Sequence, residues 1–160
     1  MTTTAGARAG SGAGKRGKAA EVAGNRLGHV IKRAEQALIA RKTAALREFD
    51  LTVPQYATLL LLASADGMSA AQLARDSMVT PQTMSTVLAN LEAKGLIARE
   101  HSQMHQKLLV NRVTEAGRSL VTDADAAALR VENKLAAEFT AAERKQLREM
   151  LERAIAVLSA

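Results

Sequence analysis

A mainly α-helical fold with one small β-hairpin is predicted by three observations. Apolar residues recur at three- and four-residue spacing along most of the chain after about residue 25. Of the 160 residues 48% are hydrophobic but only 2% aromatic, and proline stands only at positions 54 and 81. That composition suits aliphatic helices rather than a sheet sandwich. The one strand-like region, Leu96–Val113, is short and divided by the polar run HSQMHQ. A chain of this length buries one well-packed domain, or a smaller domain with a dimerisation extension.

Composition also excludes several function classes. The absence of cysteine rules out a disulfide framework and a thiol redox switch. The longest apolar run, Ala57–Ala65, is interrupted by Thr58 and Ser64 and falls far short of a membrane span. No apolar stretch follows the first basic residues, so no secretory signal is expected and cytoplasm is the expected compartment. The net charge of +6 suits a polyanionic partner without identifying one.

Residues 1–24 carry Arg8, Lys15, Arg16 and Lys18 against one Glu21, which places +3 of that charge here. Rich in Gly and Ala and poor in large apolar side chains, this segment is expected to be a disordered basic tail. Its GSGAGKRG run imitates a phosphate-binding loop but fails it. Ala9 stands where the first glycine is needed, Arg16 replaces the Ser or Thr after the lysine, and no strand precedes.

From Asn25 to Phe49 the residues Leu27, Val30, Ile31, Ala34, Leu38, Ile39 and Leu46 keep a helical period. Arg26, Lys32, Arg33, Arg41, Lys42 and Arg47 flank them as a solvated face, and His29 is expected to pack at its edge. Over Leu51–Ala65, Thr52 and Gln55 have capping-box spacing. Tyr56, Leu59, Leu60 and Leu62 make this helix apolar nearly all round, which predicts burial, with Gly67 as its terminator.

Ser69–Leu96 organises the chain. Ser69 and Gln72 form another capping box, Leu73 and Ala74 turn inward, and the period breaks over Asp76–Val79. Thr80 then opens a helix as N-cap with Pro81 at the first helical position. Met84, Val87, Leu88 and Leu91 share one apolar face, while Gln82, Thr83, Ser85, Thr86 and Asn90 carry short uncharged hydrogen-bonding groups on the other. Gly95 closes the helix. Two short helices with small polar groups near the start of the second suit insertion into a DNA major groove. The strand-like segments Leu96–Arg99 and Lys107–Val113 that follow complete a winged helix-turn-helix. His101 and His105 lie four apart without a local third ligand, so they are expected to be polar wing residues rather than a metal site.

Thr114 caps a long helix from Glu115 to about Phe139, with Leu120, Val121, Ala124, Ala128, Leu129, Val131 and Leu135 as its apolar set. Thr140 and Glu143 box the start of a last helix, whose stripe is Leu147, Met150, Leu151, Ala154, Ile155 and Leu158. The two terminal regions hold more apolar face than one small winged domain can cover. Interleaving them in a two-fold homodimer is the economical solution; packing back on their own domain is the alternative. The expected division is 1–24 tail, 25–50 N-terminal dimerisation helix, 51–113 winged helix-turn-helix, and 114–160 C-terminal dimerisation helices.

LTVPQYATLLLLA, SAAQLARDSMVTPQTMSTVLANLEAKGLIAR and VTEAGRSLV together resemble the MarR family of winged helix-turn-helix transcription regulators. The resemblance runs from about Asn25 to Ala160 and rests on LTxxQY, LxxKGLIxR and TExG. It implies a dimer with the first and last two helices interlocked. It also implies a recognition helix flanked by a wing, and a small-molecule effector bound between the dimerisation and DNA-binding regions. DNA contact is accordingly expected from Thr80, Pro81, Gln82, Thr83, Ser85, Thr86 and Asn90, and from Arg99, His105, Gln106 and Lys107 in the wing. An effector, with a mostly aliphatic pocket, is assigned to His29, Arg33 and Tyr56.

Two departures from the family pattern stand out. His105-Gln106-Lys107 replaces an Asp that braces the wing and an Arg that enters the minor groove, and Lys is a poorer substitute for the planar Arg fork. Thr86 stands where the family often has Arg, which removes a bidentate guanine contact.

The expected function is a repressor of the MarR type that binds a pseudo-palindromic duplex operator and responds to a small molecule. No cofactor, metal or membrane partner is expected. A nonspecific basic DNA-compacting protein is the alternative. An enzyme is disfavoured, because no nucleophile–His–carboxylate set, metal cluster or phosphate loop is present. A protein-interaction module with a degenerate DNA face would reveal itself by dimerising without binding any duplex.

Overall fold

The structure, a computed structural model, describes residues 24, 26–101 and 109–159. The expected tail, Gly24 apart, and wing residues 102–108 lie outside the described residues. The chain divides into two compact units, Met1–Ala40 and Arg41–Ala160. Helix α1 spans Leu27–Leu46 and ends in a 3-10 turn, Arg47–Phe49. Then follow α2 (Val53–Ala63), α3 (Ala70–Asp76), α4 (Pro81–Ala93), β1 (Ile97–His101), β2 (Leu109–Val113), α5 (Glu115–Ala137) and α6 (Ala141–Leu158).

Local chemistry sets where these helices begin. Thr52, Ser69 and Thr140 each accept the backbone N–H three residues on, while Gln55, Gln72 and Glu143 accept the cap N–H in return. Thr80 and Thr114 cap α4 and α5 through the N–H groups of Thr83 and Gly117, both at 3.1 Å. Helix α2 stops at Ala63, short of the expected Ala65. The Ser64 hydroxyl donates to Leu61 O at 2.8 Å, satisfying a terminal carbonyl. Gly67, at φ +88°, belongs to the following turn rather than to the helix end. Nor is α2 buried all round. Elements α4, α5 and β2 cover most of it, but Leu60 remains 40% exposed.

The core of the second unit is aliphatic. Leu46, Leu59, Leu62, Leu73, Met84, Leu88 and Leu91 are fully buried, joined by Val121, Ala124 and Ala128 of α5. Strands β1 and β2 pair antiparallel, with Ile97 opposite Val113 and His101 opposite Leu109. The first strand thus runs two residues beyond the expected Arg99. Asn111 bridges back to Met68, exchanging both backbone hydrogen bonds and donating its side-chain amide to Met68 O at 3.0 Å. That contact ties the hairpin to the α2–α3 connection.

Two contacts fix α5 against this core. A Cβ at Gly117 would overlap Leu96 O and stand 2.9 Å from Val113 Cγ2, so the backbones meet only because the side chain is absent. Farther along, the buried Tyr56 hydroxyl of α2 donates to Asp125 Oδ1 at 2.6 Å. Burial first, then the hydrogen bond and charge of Asp125, and lastly the charge of Glu132, raise the Tyr56 pKa above the ordinary 10.0.

Helix α6 behaves differently. None of its residues is buried, and Leu147, Met150, Leu151, Ile155 and Leu158 of the expected stripe stay exposed, as do Leu129 and Leu135 of α5. Among the described residues the stripe is left open to solvent.

Gly117→Ala is expected to lower unfolding free energy by about 2–3 kcal/mol through overpacking. Gly28→Ala, where an added Cβ meets nothing within 4 Å, should change it by no more than about 1 kcal/mol. Denaturant titration checks both. Tyr56→Phe should cost roughly 1.5–3 kcal/mol near neutral pH, the range for a hydrogen bond to a carboxylate. In the unfolded chain Tyr56 ionises from about pH 10 while the fold holds it protonated, so its stabilisation is present below that pH and lost above it. The stability gap between wild type and Tyr56→Phe should therefore narrow as pH rises past 10.0; a constant gap contradicts the assignment.

Candidate nucleic-acid interface

Helix α4 is held by its apolar underside. Met84, Val87, Leu88 and Leu91 are all buried, whereas Pro81, Gln82, Thr83, Ser85, Thr86, Ala89 and Asn90 are all exposed. The turn that delivers it has Met78 at φ +53°. This left-handed residue lets Val79 turn back, with its N–H donating to Ala74 O at 3.0 Å, while the Met78 side chain is 93% exposed. The break in period over Asp76–Val79 marks the turn, but does not single out Met78 as its left-handed residue.

The polar face is partly self-occupied. Thr80 Oγ1 and Thr83 Oγ1 lie 2.9 Å apart, and Thr86 Oγ1 donates to Gln82 O at 3.3 Å. The side chains of Gln82, Ser85 and Asn90 make no hydrogen bond among the described residues.

Cations around α4 are largely engaged within the chain. Lys94, at the end of α4, holds Asp50 through both its backbone carbonyl and its carboxylate, the latter at 2.7 Å. Asp50 itself takes a left-handed conformation, φ 51°. Arg99, expected as a wing contact, projects from β1 to Glu92 of α4 at 3.1 Å. It fastens the hairpin to the helix. Arg112 of β2 pairs with Asp66 and, at 3.3 Å, with Glu100 of β1. Arg118 donates to Ala63 O at 2.8 Å. Arg75 is exposed on α3 and forms no ion pair among the described residues.

Arg112 escaped the sequence-based reading of the wing. The bracing carboxylate that His105 replaces is expected at the tip, whereas Arg112 braces the base. Its signal is the register: Glu100 lies opposite Val110, so Arg112 is its diagonal neighbour on one face. His105, Gln106 and Lys107 lie outside the described residues; His101 ends β1, exposed.

The residues assigned to an effector have distinct settings. His29 and Arg33 stand exposed on α1, one turn apart. Tyr56 is buried, and its hydroxyl is committed to Asp125. Within the second unit, an open groove of about 380 Å³ runs between α5 and α6 over Leu135, Leu147, Leu151 and Ile155. Among the described residues no three His, Asp or Glu side chains converge as a metal ion would require.

Comparison with known proteins assigns this arrangement. The family model described as MarR family matches residues 49–107, which take in α2 to α4 and β1. The HTH-type transcriptional repressor Rv2887 of Mycobacterium tuberculosis is 35% identical over 127 residues, covering 79% of this chain and 91% of the relative. Its crystal structure in complex with DNA aligns over 81% of this chain and 97% of that one, at 32% identity and TM-score 0.63. Its complex with salicylic acid aligns over 81% and 96%, at 35% identity and TM-score 0.64. A family match across the helix-turn-helix, joined to this identity over most of the chain, makes the protein a member of the MarR family of transcription regulators.

Proposed function

We propose that the chain acts as a homodimeric, sequence-specific DNA-binding repressor whose affinity for its operator is set by a small molecule. The observation that carries the DNA-binding part is the two-sided α4, with four buried apolar residues beneath an uncharged hydrogen-bonding face. Crystal structures of the 35%-identical Rv2887 with DNA and with salicylic acid support both partners. On this reading, Thr80, Pro81, Gln82, Thr83, Ser85, Thr86 and Asn90 approach the major groove. Arg99, His105, Gln106 and Lys107 belong to the wing, with Arg99 acting through Glu92 rather than directly.

A second copy of the chain accounts for the exposed stripe of α6. Leu147, Met150, Leu151 and Ile155 are 39–58% exposed, a contiguous apolar surface of the kind buried at an obligate interface. Residues 25–50 and 114–160 then form the dimerisation region, 51–113 the DNA-binding region, and 1–24 a basic tail. His29, Arg33 and Tyr56 remain the proposed effector residues. Because the Tyr56 hydroxyl serves Asp125, Tyr56 would offer its ring rather than a hydrogen bond. No helix among the described residues is long and apolar enough to cross a membrane, and the proposed setting is the cytoplasm, without catalytic activity.

One observation favours a nonspecific second reading. Lys94, Arg99 and Arg112 are neutralised within the chain, while residues 1–24 carry a net +3. Selection of genomic fragments at near-physiological salt, on the full chain and on a chain lacking residues 1–24, separates the two. A pseudo-palindrome enriched by both chains, with half-sites about one helical turn apart, is the expected result. Uniform retention that vanishes with the tail overturns the proposal in favour of a basic binder.

A further inference from the structure

We infer that α4 reads A·T base pairs, Gln82 taking an adenine through its amide while Thr86 and Ala89 take thymines through their methyl groups. The inference rests on α4 being the DNA-reading helix, as proposed above. At about 100° per residue, Gln82, Thr86 and Ala89 fall within about 40° of one outward line, opposite Met84, Val87, Leu88 and Leu91. Ser85 and Asn90 flank that line.

What these three positions present is chemically narrow. Gln82 carries a side-chain amide with no hydrogen bond among the described residues. Adenine offers an N7 acceptor beside an N6–H donor, so the Gln82 Nε2–H group donates to N7 while Oε1 accepts from N6. Thr86 carries a hydroxyl, but that hydroxyl already donates to Gln82 O at 3.3 Å. With the hydroxyl proton taken, its oxygen as an acceptor and its methyl are left for a ligand, and only the methyl distinguishes thymine from cytosine. Ala89 has nothing but a methyl, and both match the C5-methyl of thymine, which cytosine lacks.

Groups that would favour G·C are missing from this line. Helix α4 contains neither Lys nor Arg to take guanine O6 and N7. Glu92, which a cytosine amino group would need, is paired with Arg99. Lys94 is clamped to Asp50. The hydroxyls of Thr80 and Thr83 face one another at 2.9 Å.

The test uses the full chain and duplexes selected from a randomised library at near-physiological salt. In the enriched sequence, the positions that lose discrimination in Gln82→Ala and Thr86→Ser mark where α4 reads. Those positions should be A·T. Replacing the adenine there by 7-deazaadenine, which removes the N7 half of the bidentate contact, should weaken wild-type binding severalfold and leave Gln82→Ala nearly unaffected. Replacing thymine by uracil should weaken the wild type severalfold. It should not affect Thr86→Ser at the Thr86 position, since serine keeps the hydroxyl and lacks the methyl. Loss of wild-type binding to the analogue duplexes is read on the unaltered protein, and circular dichroism of Gln82→Ala and Thr86→Ser, both at exposed positions, checks that the variants used to locate the contacts are folded. Enrichment of G·C at the α4 positions, or indifference to both analogues, overturns the inference while leaving sequence-specific binding intact. Enrichment of no sequence at all overturns both.

Discussion

Burial of Met84, Val87, Leu88 and Leu91 against the aliphatic core is the interaction on which the rest of the structure depends. Each such side chain contributes about 1.5–3 kcal/mol when fully removed from water. Together they fix the rotation of α4 about its own axis, and therefore which residues face outward. Thr80 and Pro81 fix where the helix starts, and Lys94 with Gly95, at φ +69°, where it ends. A helix pinned in rotation and at both ends presents its polar groups at reproducible positions, which sequence reading requires.

The hairpin and α5 are joined to this helix by contacts of unequal kind. Arg99 reaches Glu92 from β1, Arg112 spans β1, β2 and Asp66, and Asn111 binds Met68. The ion pairs are partly exposed and individually weak. The Gly117 contact is steric: Leu96 O occupies the space of a side chain, so α5 cannot shift there without moving the start of the hairpin. Tyr56 and Asp125 repeat the coupling one helix away, through a part-buried hydrogen bond. A molecule that displaced α5 would act on α2 and on the hairpin together.

Much of this was legible in the sequence, because periodicity and capping chemistry are local. The boxes at Thr52, Ser69 and Thr140 start α2, α3 and α6 where their spacing predicts. The four inward residues of α4 are the four that its period selects. Features set by distant contacts were not legible. The end of α2 depends on a Ser64 hydroxyl, and the exposure of Leu60 on how many elements cover that helix. Arg99 resembles a free wing cation until β1 brings it beside Glu92. The glycine of TExG reads as an unexplained motif position until Leu96 O is found against it. Tyr56, assigned to an effector, has its polar atom satisfied by a residue 69 positions away.

In the function proposed above, two copies of α4, held by one dimer, read two half-sites on the same face of a duplex. Inserting about five base pairs between the half-sites turns one of them roughly half a helical turn away. Equilibrium binding to the selected operator and to its lengthened version should then differ sharply, with the lengthened duplex bound no better than a single half-site. Equal affinity for the two duplexes would contradict paired reading by one dimer.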